Sequence, residues 1–313
     1  MSPPSRLYDR PYLLLTLTSL FWAGNAVVGR ATVTVIPPAA LATIRWSLAF
    51  LILLPFVWST IRAEMPVIRR HVGILAVLAF TSVGAFNTLL YWSLLHTTAI
   101  NATLMQSTGP LLIGLWSLLL FGEPLTRRQF GGILVSLTGI LTIVSGGDAS
   151  RLASLSLNIG DIAVLVAISI YGVYSTLLRK RPAMTALSFA AVIIGMGALM
   201  LVPVAVAEYL TGARIAPLTP GAVGALAYVT IFPSILAVLC YNRGVQLIGA
   251  NRSGPFLHLV PLFGAILAVI FLGERPGWHH AVGAILVVGG VFIAGTSRSN
   301  TSKNRVAAPA ERP

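Results

Sequence analysis

Residues 110–123, PLLIGLWSLLLFGE, recur 151 positions later as residues 261–274, PLFGAILAVIFLGE. Both stretches open on Pro-Leu and close on Gly-Glu, and the register continues beyond them without a gap. Two later glycines keep the same spacing in each copy: Gly132 and Gly139, and Gly283 and Gly290. Single Leu or Gly matches are common by chance in apolar sequence, but this ordered set is not. The chain therefore contains an internal repeat.

Ten apolar stretches are long enough to cross a bilayer, which takes about 20 residues. Hydrophobic residues make up 56% of the chain and charged residues only 9%, against about 25% charged in soluble domains. The single cysteine excludes an intramolecular disulfide. We predict an all-α polytopic membrane protein with ten transmembrane helices. The predicted spans are residues 12–31, 39–58, 72–94, 100–121, 129–146, 158–178, 185–207, 221–242, 252–272 and 279–296.

The basic residues predict the orientation of the chain in the membrane. There are 21 Lys and Arg against 8 Asp and Glu, for a net charge of +13. With the N-terminus inside, 16 basic residues lie in inner segments, and the outer connections hold only Arg151, Arg214 and Arg275. The positive-inside rule then places both termini in the cytoplasm. Because the charge is spread over six loops and tails rather than one face, no nucleic-acid partner is expected.

Each copy of the repeat holds five spans. We predict a cytoplasmic N-terminal tail at residues 1–11, a first repeat at 12–146, an outer linker at 147–157, a second repeat at 158–296 and a disordered cytoplasmic tail at 297–313. Because five is an odd number, the second repeat enters the membrane from the opposite side. Inverted repeats are typical of secondary transporters, which work by alternating access around a site near the midplane.

The two Gly-Glu hairpins, residues 121–123 (FGE) and 272–274 (LGE), resemble those of the EamA type of the drug/metabolite transporter superfamily. The first-span stretch 20–25, LFWAGN, and Arg45 in the second span are also similar to that pattern. The resemblance covers about residues 11–296. It implies export of amino acids or related metabolites across a bacterial inner membrane. The chain is most similar to amino-acid exporters, including the aromatic type, although its seventh span has no counterpart of Arg45.

Pro110 and Pro261 lie near the middle of their spans and are predicted hinges. A helix-interior proline frees the carbonyl four residues back, which for Pro110 is that of Gln106. Residues 107–109, Ser-Thr-Gly, predict a new helix start with a hydroxyl cap. A helix N-terminus would favour a carboxylate and freed carbonyls an ammonium, as in an amino-acid zwitterion. A packing kink without a ligand is the alternative.

Two ionisable residues are predicted at membrane depth. His258, at the position equivalent to Ser107, could couple transport to protons, or it could be a neutral histidine bonded to a neighbouring helix. Arg45 lies about 10 Å inside the outer end of its span, at ~1.5 Å per residue. It could bind a substrate carboxylate, extend its guanidinium towards the interface or serve only in packing. Glu123 and Glu274, at the hairpins, are expected to cap the helices that follow them.

The candidate substrate site combines aromatic residues with a few polar groups, as ligand pockets usually do. Its predicted residues are Trp22, Asn25, Arg45, Asn87, Tyr91, Gln106, Ser107, Tyr171, Tyr174, Tyr241 and His258. The expected partners are amino acids or small metabolites and the lipid bilayer, with protons as a candidate coupling ion. No catalytic residue, metal ion or cofactor is expected.

Several functional classes are disfavoured by what the spans lack. No acidic residue lies deep in a span, Asp161 being the nearest, whereas small multidrug pumps of the same superfamily carry a membrane glutamate in their first helix. Cationic drugs are therefore not expected. The chain has no glycine-rich phosphate loop, which argues against ATP hydrolysis. A carrier of phosphorylated or nucleotide-linked metabolites would need several cations at depth. A polytopic membrane enzyme would need a cluster near one interface, for which His279 and His280 near Glu274 are weak evidence.

Overall fold

In a computed structural model of the chain, the described residues are 8–32, 36–153, 156–215, 217, 219–272 and 275–296. Every regular element among them is helical. Nine helices in this part of the chain are long and apolar enough to cross a membrane. The first predicted span is also a helix, Pro11–Thr32, but several of its side chains lie outside the described part. The all-α polytopic fold is thereby confirmed.

The helices follow the predicted spans closely, and five of the spans contain an irregular turn or a break. In chain order the ten spans are Pro11–Thr32; Pro38–Arg70; Val72–Ala79, the π turn Phe80–Gly84 and Ala85–Leu94; Ala99–Gln106 and Gly109–Phe121; Arg127–Ser145; Ile159–Leu177 with the 3₁₀ turn Leu178–Lys180; Ala186–Leu210; Pro220–Val229, the π turn Thr230–Leu236 and Ala237–Ile248; Ala250–Ser253, the 3₁₀ turn Gly254–His258 and Leu259–Leu272; and Trp278–Gly295. A short helix, Ala149–Ala153, lies between the two repeats.

The second helix is longer than predicted, because the apolar pattern marks only its membrane-spanning part. It has 33 residues, Pro38–Arg70, or about 50 Å at ~1.5 Å per residue, against a hydrocarbon core of about 30 Å. The predicted span ended at residue 58. The last turns carry Arg69 and Arg70 and extend the helix beyond the apolar stretch.

The irregular turns recur at equivalent places in the two repeats. The third and eighth spans each contain a π turn, and the fourth and ninth are each interrupted near the middle. Pro110 is the second residue of the helix that follows the first interruption, and Pro261 is the third residue of the helix that follows the other. Proline fits the first turn of a helix because the N–H groups of that turn have no acceptor within the helix, so the lack of an N–H costs no hydrogen bond. The hinge role of the two prolines stays a prediction.

The hydroxyl cap expected before Pro110 is wrong. Thr108 occupies the cap position but makes no side-chain capping bond. Its hydroxyl instead donates to the carbonyl of Met105 at 2.7 Å, and the Ser107 hydroxyl donates to that of Leu104 at 2.6 Å. Both hydroxyls therefore satisfy the end of the preceding helix, where carbonyls lack partners, rather than the start of the next one.

Equivalent helices of the two repeats pack antiparallel, as inverted repeats require. In the fifth and tenth helices, Gly132 lies against Gly290, and Gly139 lies against Gly283. The first helix packs on the eighth and ninth spans, and the sixth packs on the third and fourth. These two sets of contacts are equivalent, because the first, third and fourth spans of one repeat correspond to the sixth, eighth and ninth spans of the other. The centre of the molecule is thus formed by spans from both copies.

The second and seventh helices, also antiparallel, cap each other with carboxylates. The two oxygens of Glu208 accept the backbone N–H groups of Ala39 and Ala40 at 3.0 and 2.8 Å. At the other end, Glu64 accepts the N–H of Thr185 at 2.8 Å. A carboxylate suits a helix N-terminus because it satisfies free N–H groups and complements the helix dipole. Sequence alone did not indicate these contacts, since each joins residues more than a hundred positions apart.

The expected capping role of Glu123 is wrong. Its carboxylate pairs with Arg179 at 2.8 Å. The fifth helix is capped instead by Thr126 and Gln129, whose side chains bond each other's backbone N–H at 3.1 and 2.8 Å. This capping box lies closer to the helix start and satisfies the same N–H groups. Glu274 lies outside the described residues.

We expect Glu208→Ala to lower the free energy of unfolding by about 1 kcal/mol, the usual cost of a lost N-cap. The change removes both acceptors of the second helix. Thermal unfolding in detergent measures the effect. Glu64→Ala, which removes one such bond at the opposite end, serves as the comparison and is expected to cost less. Equal melting temperatures for Glu208→Ala and the unsubstituted protein would contradict a capping role.

Candidate substrate site

Three predicted residues from three different spans meet in a buried polar triad. The Arg45 guanidinium donates to the Asn25 side-chain oxygen through Nη1 at 3.0 Å and to the Asn87 side-chain oxygen through Nη2 at 2.8 Å. Arg45 is only 5% exposed, and its Nε has no hydrogen-bond partner. The ring of Trp46 covers the guanidinium, with its centroid 4.9 Å from Cζ. The predicted alternative, in which the guanidinium reaches the interface, does not match this buried position.

The π turn of the third span orients one member of the triad. The Asn87 amide nitrogen donates to the carbonyls of Val83 at 2.8 Å and Ser82 at 3.4 Å. Both carbonyls belong to the turn Phe80–Gly84, where the helical hydrogen bonds are rearranged. With its nitrogen engaged by backbone, Asn87 presents its oxygen to Arg45. The turn therefore determines which end of the amide faces the triad.

An aromatic cluster lies beside the triad. Tyr171 is at its centre, with ring centroids 5.1 Å from Phe86, 5.8 Å from Trp22, 5.4 Å from Tyr174 and 5.6 Å from Tyr241. Separations of 4.5–7 Å are typical of favourable aromatic pairs. The five residues come from four spans: the first and third in the first repeat, and the sixth and eighth in the second. The cluster thus lies where the two copies meet.

Two of the cluster's hydroxyls are held by polar partners. Tyr174 donates its hydroxyl proton to the Asn242 side-chain oxygen at 2.5 Å, and the hydroxyls of Tyr241 and Ser175 lie 2.6 Å apart. Buried tyrosines need such partners because an unpaired hydroxyl in an apolar interior is costly. The predicted residues Tyr174 and Tyr241 are therefore ordered by specific bonds. Ser175 carries no sequence signal that would have indicated its role.

The triad and the aromatic cluster are adjacent parts of one site. On the first helix, Trp22 of the cluster and Asn25 of the triad are three residues apart and so share a face. On the third span, Phe86 and Asn87 are consecutive. The site therefore combines a buried cation and two amides with an aromatic wall about one helical turn away.

His258 occupies a separate buried position between the fourth, fifth and ninth spans. Its Nδ1 lies 2.5 Å from the Ser136 hydroxyl, and its Nε2 lies 2.8 Å from the Ser107 carbonyl. A carbonyl can only accept, so Nε2 carries a proton and donates to it. The Ser136 hydroxyl can donate its one proton either to Nδ1 or to the Ile133 carbonyl at 3.0 Å, and in the second case Nδ1 is the donor. The ring is thus bonded to neighbouring helices, and both its charge state and its coupling role stay predictions.

Two other predicted residues, Ser107 and Gln106, are not joined to the triad or the cluster by the described contacts. Ser107 enters the His258 network through its carbonyl rather than its hydroxyl. Gln106 is half-buried at the end of the helix Ala99–Gln106. The side chain of Tyr91 lies outside the described part of the chain.

Similar proteins point to one family. Residues 10–145 and 158–296 each match the EamA-like transporter family. An uncharacterized transporter of Archaeoglobus fulgidus is 30% identical over 295 residues, and the match covers 91% of this chain and 97% of the relative's length. A probable terminal-alkyne amino-acid exporter of Streptantibioticus cattleyicolor is 28% identical over 226 residues, covering 72% of this chain and 73% of its own.

A solved crystal structure shares the fold, with a TM-score of 0.72, 19% sequence identity, and coverage of 91% of this chain and 97% of its own. At this identity the likeness concerns the fold alone. The family matches span almost the whole membrane part of the chain, and the named relatives are transporters rather than enzymes. With the expected resemblance confirmed in this way, the chain belongs to the EamA-like transporter family.

Proposed function

We propose that this protein is a secondary transporter that exports amino acids, neutral or aromatic, or closely related metabolites. It works by alternating access, with the two repeats moving around the site that they share. The observation that supports this proposal most directly is the buried Arg45 triad, which lies one helical turn from the aromatic cluster. The similarity to a relative named as an amino-acid exporter supports the same substrate class.

The composition of the site favours this cargo over phosphorylated metabolites. Phosphate recognition uses several charge-assisted donors, whereas Arg45 is the one buried Lys or Arg among those whose side chains the structure describes. The neighbouring wall of Trp22, Phe86 and Tyr171 suits an apolar or aromatic side chain. A cationic drug would be repelled by the guanidinium. We propose that the protein lies in the inner (plasma) membrane with both termini in the cytoplasm, on the positive-inside rule.

Efflux from proteoliposomes tests the transport class. Vesicles containing the purified protein are loaded with radiolabelled phenylalanine, leucine or alanine, and loss of label is compared with that from protein-free vesicles. We expect protein-dependent efflux, fastest for phenylalanine. Absence of protein-dependent movement for every amino acid tried would overturn the proposed substrate class.

Coupling to protons through His258 has its own test. An imposed pH gradient is expected to drive accumulation of label, and His258→Gln is expected to abolish that drive while exchange at equal pH persists. Ser136→Ala is the matched control because it breaks the same hydrogen bond but retains the ionisable ring. Loss of gradient-driven accumulation in both variants would indicate a packing effect. Gradient-driven accumulation that persists in His258→Gln would contradict the coupling role.

A further inference from the structure

We infer that Arg45, oriented by Asn25 and Asn87, is the binding subsite for the carboxylate of the cargo. The transporter then takes substrates that combine a carboxylate with an apolar or aromatic group, and it rejects the corresponding amines and amides. This inference rests on the proposed function and specifies which end of the cargo the triad recognises.

The charge of Arg45 is not compensated within the described residues. The ion pairs found there are Arg151 with Asp148, Arg179 with Glu123 and Arg243 with Asp9, and the partners of Arg45 are two neutral amides. Burial of an unpaired charge costs several kcal/mol. A site that retains such a charge is built to receive an anion, whose arrival supplies the missing counter-charge.

The free donors of Arg45 have the geometry that a carboxylate needs. A guanidinium offers five N–H donors in a planar fork, and two of them are used by Asn25 and Asn87. The buried Nε has no partner. Because the Trp46 ring covers one face of the guanidinium, a ligand approaches through an edge of the fork. Two parallel N–H donors on one edge bind a carboxylate in the bidentate manner.

The subsite is organised before the cargo arrives. The amide nitrogen of Asn87 is engaged by the carbonyls of Val83 and Ser82, so its oxygen is directed at Arg45. A preorganised receptor avoids the cost of ordering side chains on binding. Trp22 lies three residues before Asn25, about 4.5 Å along the helix at ~1.5 Å per residue. That separation suits the short link between the carboxylate and the side chain of an aromatic amino acid.

Competition in the proteoliposome assay tests the subsite without altering the protein. Exchange of radiolabelled phenylalanine is measured against four unlabelled compounds: phenylalanine, 3-phenylpropionate, phenethylamine and phenylalaninamide. We expect the two carboxylates to compete and the amine and amide, which lack a carboxylate, to fail. Equal competition by phenethylamine would overturn the inference while leaving amino-acid transport intact.

Substitution of Arg45 gives a second readout. Arg45→Gln is expected to raise the concentration for half-maximal exchange by roughly 10- to 100-fold, the effect of losing a charge-assisted pair. Arg45→Lys, which keeps the charge but not the fork, is expected to recover only part of it. Arg62→Gln is the matched control, since Arg62 lies exposed on the same helix over the ring of Trp58 at 4.6 Å. Unchanged exchange in a folded Arg45→Gln protein would also overturn the inference.

Ligand-induced thermal stabilisation in detergent separates failure of the subsite from failure of the proposed function. It requires binding but no transport. We expect 3-phenylpropionate to raise the melting temperature of the unsubstituted protein, phenethylamine to leave it unchanged, and Arg45→Gln to lose the response. If no amino acid moves in vesicles but this selectivity holds, the proposed export fails and the carboxylate subsite stands. Stabilisation by the amine alone would contradict the subsite.

Discussion

Gly132→Ala is expected to destabilise the protein severely, whereas Gly131→Ala, at the neighbouring position, is expected to be neutral or slightly stabilising. A Cβ atom on Gly132 would lie 2.6 Å from the Gly290 carbonyl oxygen and 2.7 Å from the Ala294 nitrogen. These are backbone atoms of the tenth helix, so relief requires the two helices to separate. A Cβ on Gly131 would have no neighbour within 4 Å.

The magnitude follows from opposing effects. Alanine stabilises a helix interior by about 1 kcal/mol relative to glycine, and Gly131→Ala should show only that gain. At Gly132, overpacking costs typically about 1–3 kcal/mol and more when backbones must move. Since small residues allow close approach of membrane helices, the fifth–tenth helix pair depends on this contact. Melting temperature and monodispersity in detergent measure the difference, and similar values for the two variants would contradict the close-packing account.

Asp161→Ala is expected to cost about 3 kcal/mol or more of unfolding free energy. The Asp161 carboxylate is fully buried. It accepts hydrogen bonds from the Thr97 hydroxyl, the Asn101 amide at 3.0 Å and the Asn158 backbone N–H at 3.0 Å. Removal takes the charged acceptor from the buried Asn101 amide and from two half-buried donors, on Thr97 and Asn158, and each hydrogen bond to a charged group contributes about 1.5–3 kcal/mol. The same bonds tie the start of the sixth helix to the turn between the third and fourth spans.

Asp148→Ala is the matched control for that substitution. Asp148 lies on the connection that precedes the sixth helix and also accepts bonds from a nearby residue, Ser150, at 2.9 and 2.6 Å, but it is exposed. Exposed hydrogen bonds and ion pairs contribute little because water replaces them. We therefore expect a shift within ~0.5 kcal/mol, the usual range for surface substitutions. A comparable loss of stability in both variants would show that burial of Asp161 is not the cause.

The repeat and its glycines show how much of the fold is readable from the chain. Apolar runs of bilayer length predict the helices because lipid offers backbone groups no other partner. The recurrence of Pro110 and Gly132 as Pro261 and Gly283 predicts two copies, and the odd number of spans predicts their inversion. The packed antiparallel pair of the fifth and tenth helices agrees with this. The pattern did not locate the interruption of the ninth span. The interruption is a 3₁₀ turn, Gly254–His258, that ends before Pro261.

The residues that cap the helices were harder to predict than the helices themselves. Glu123 looked like a local cap, yet it pairs with Arg179, and the true long-range caps are Glu64 and Glu208. A local cap can be read from spacing along one helix, because its partners are a few residues away. A cap supplied by another helix depends on where that helix ends in space, which spacing does not encode.

The opening repeat, the apolar spans and the distribution of basic residues were enough to establish a two-copy membrane transporter and to nominate Asn25, Arg45 and Asn87 one by one. Only the tertiary structure joined these three into a triad, because they lie on three different spans and their contact depends on helix rotation and on the π turn beside Asn87. It also moved His258 from the expected centre to a separate position between Ser136 and Ser107. Periodicity determines which residues face inward, whereas the packing of helices from both repeats decides which inward-facing residues meet.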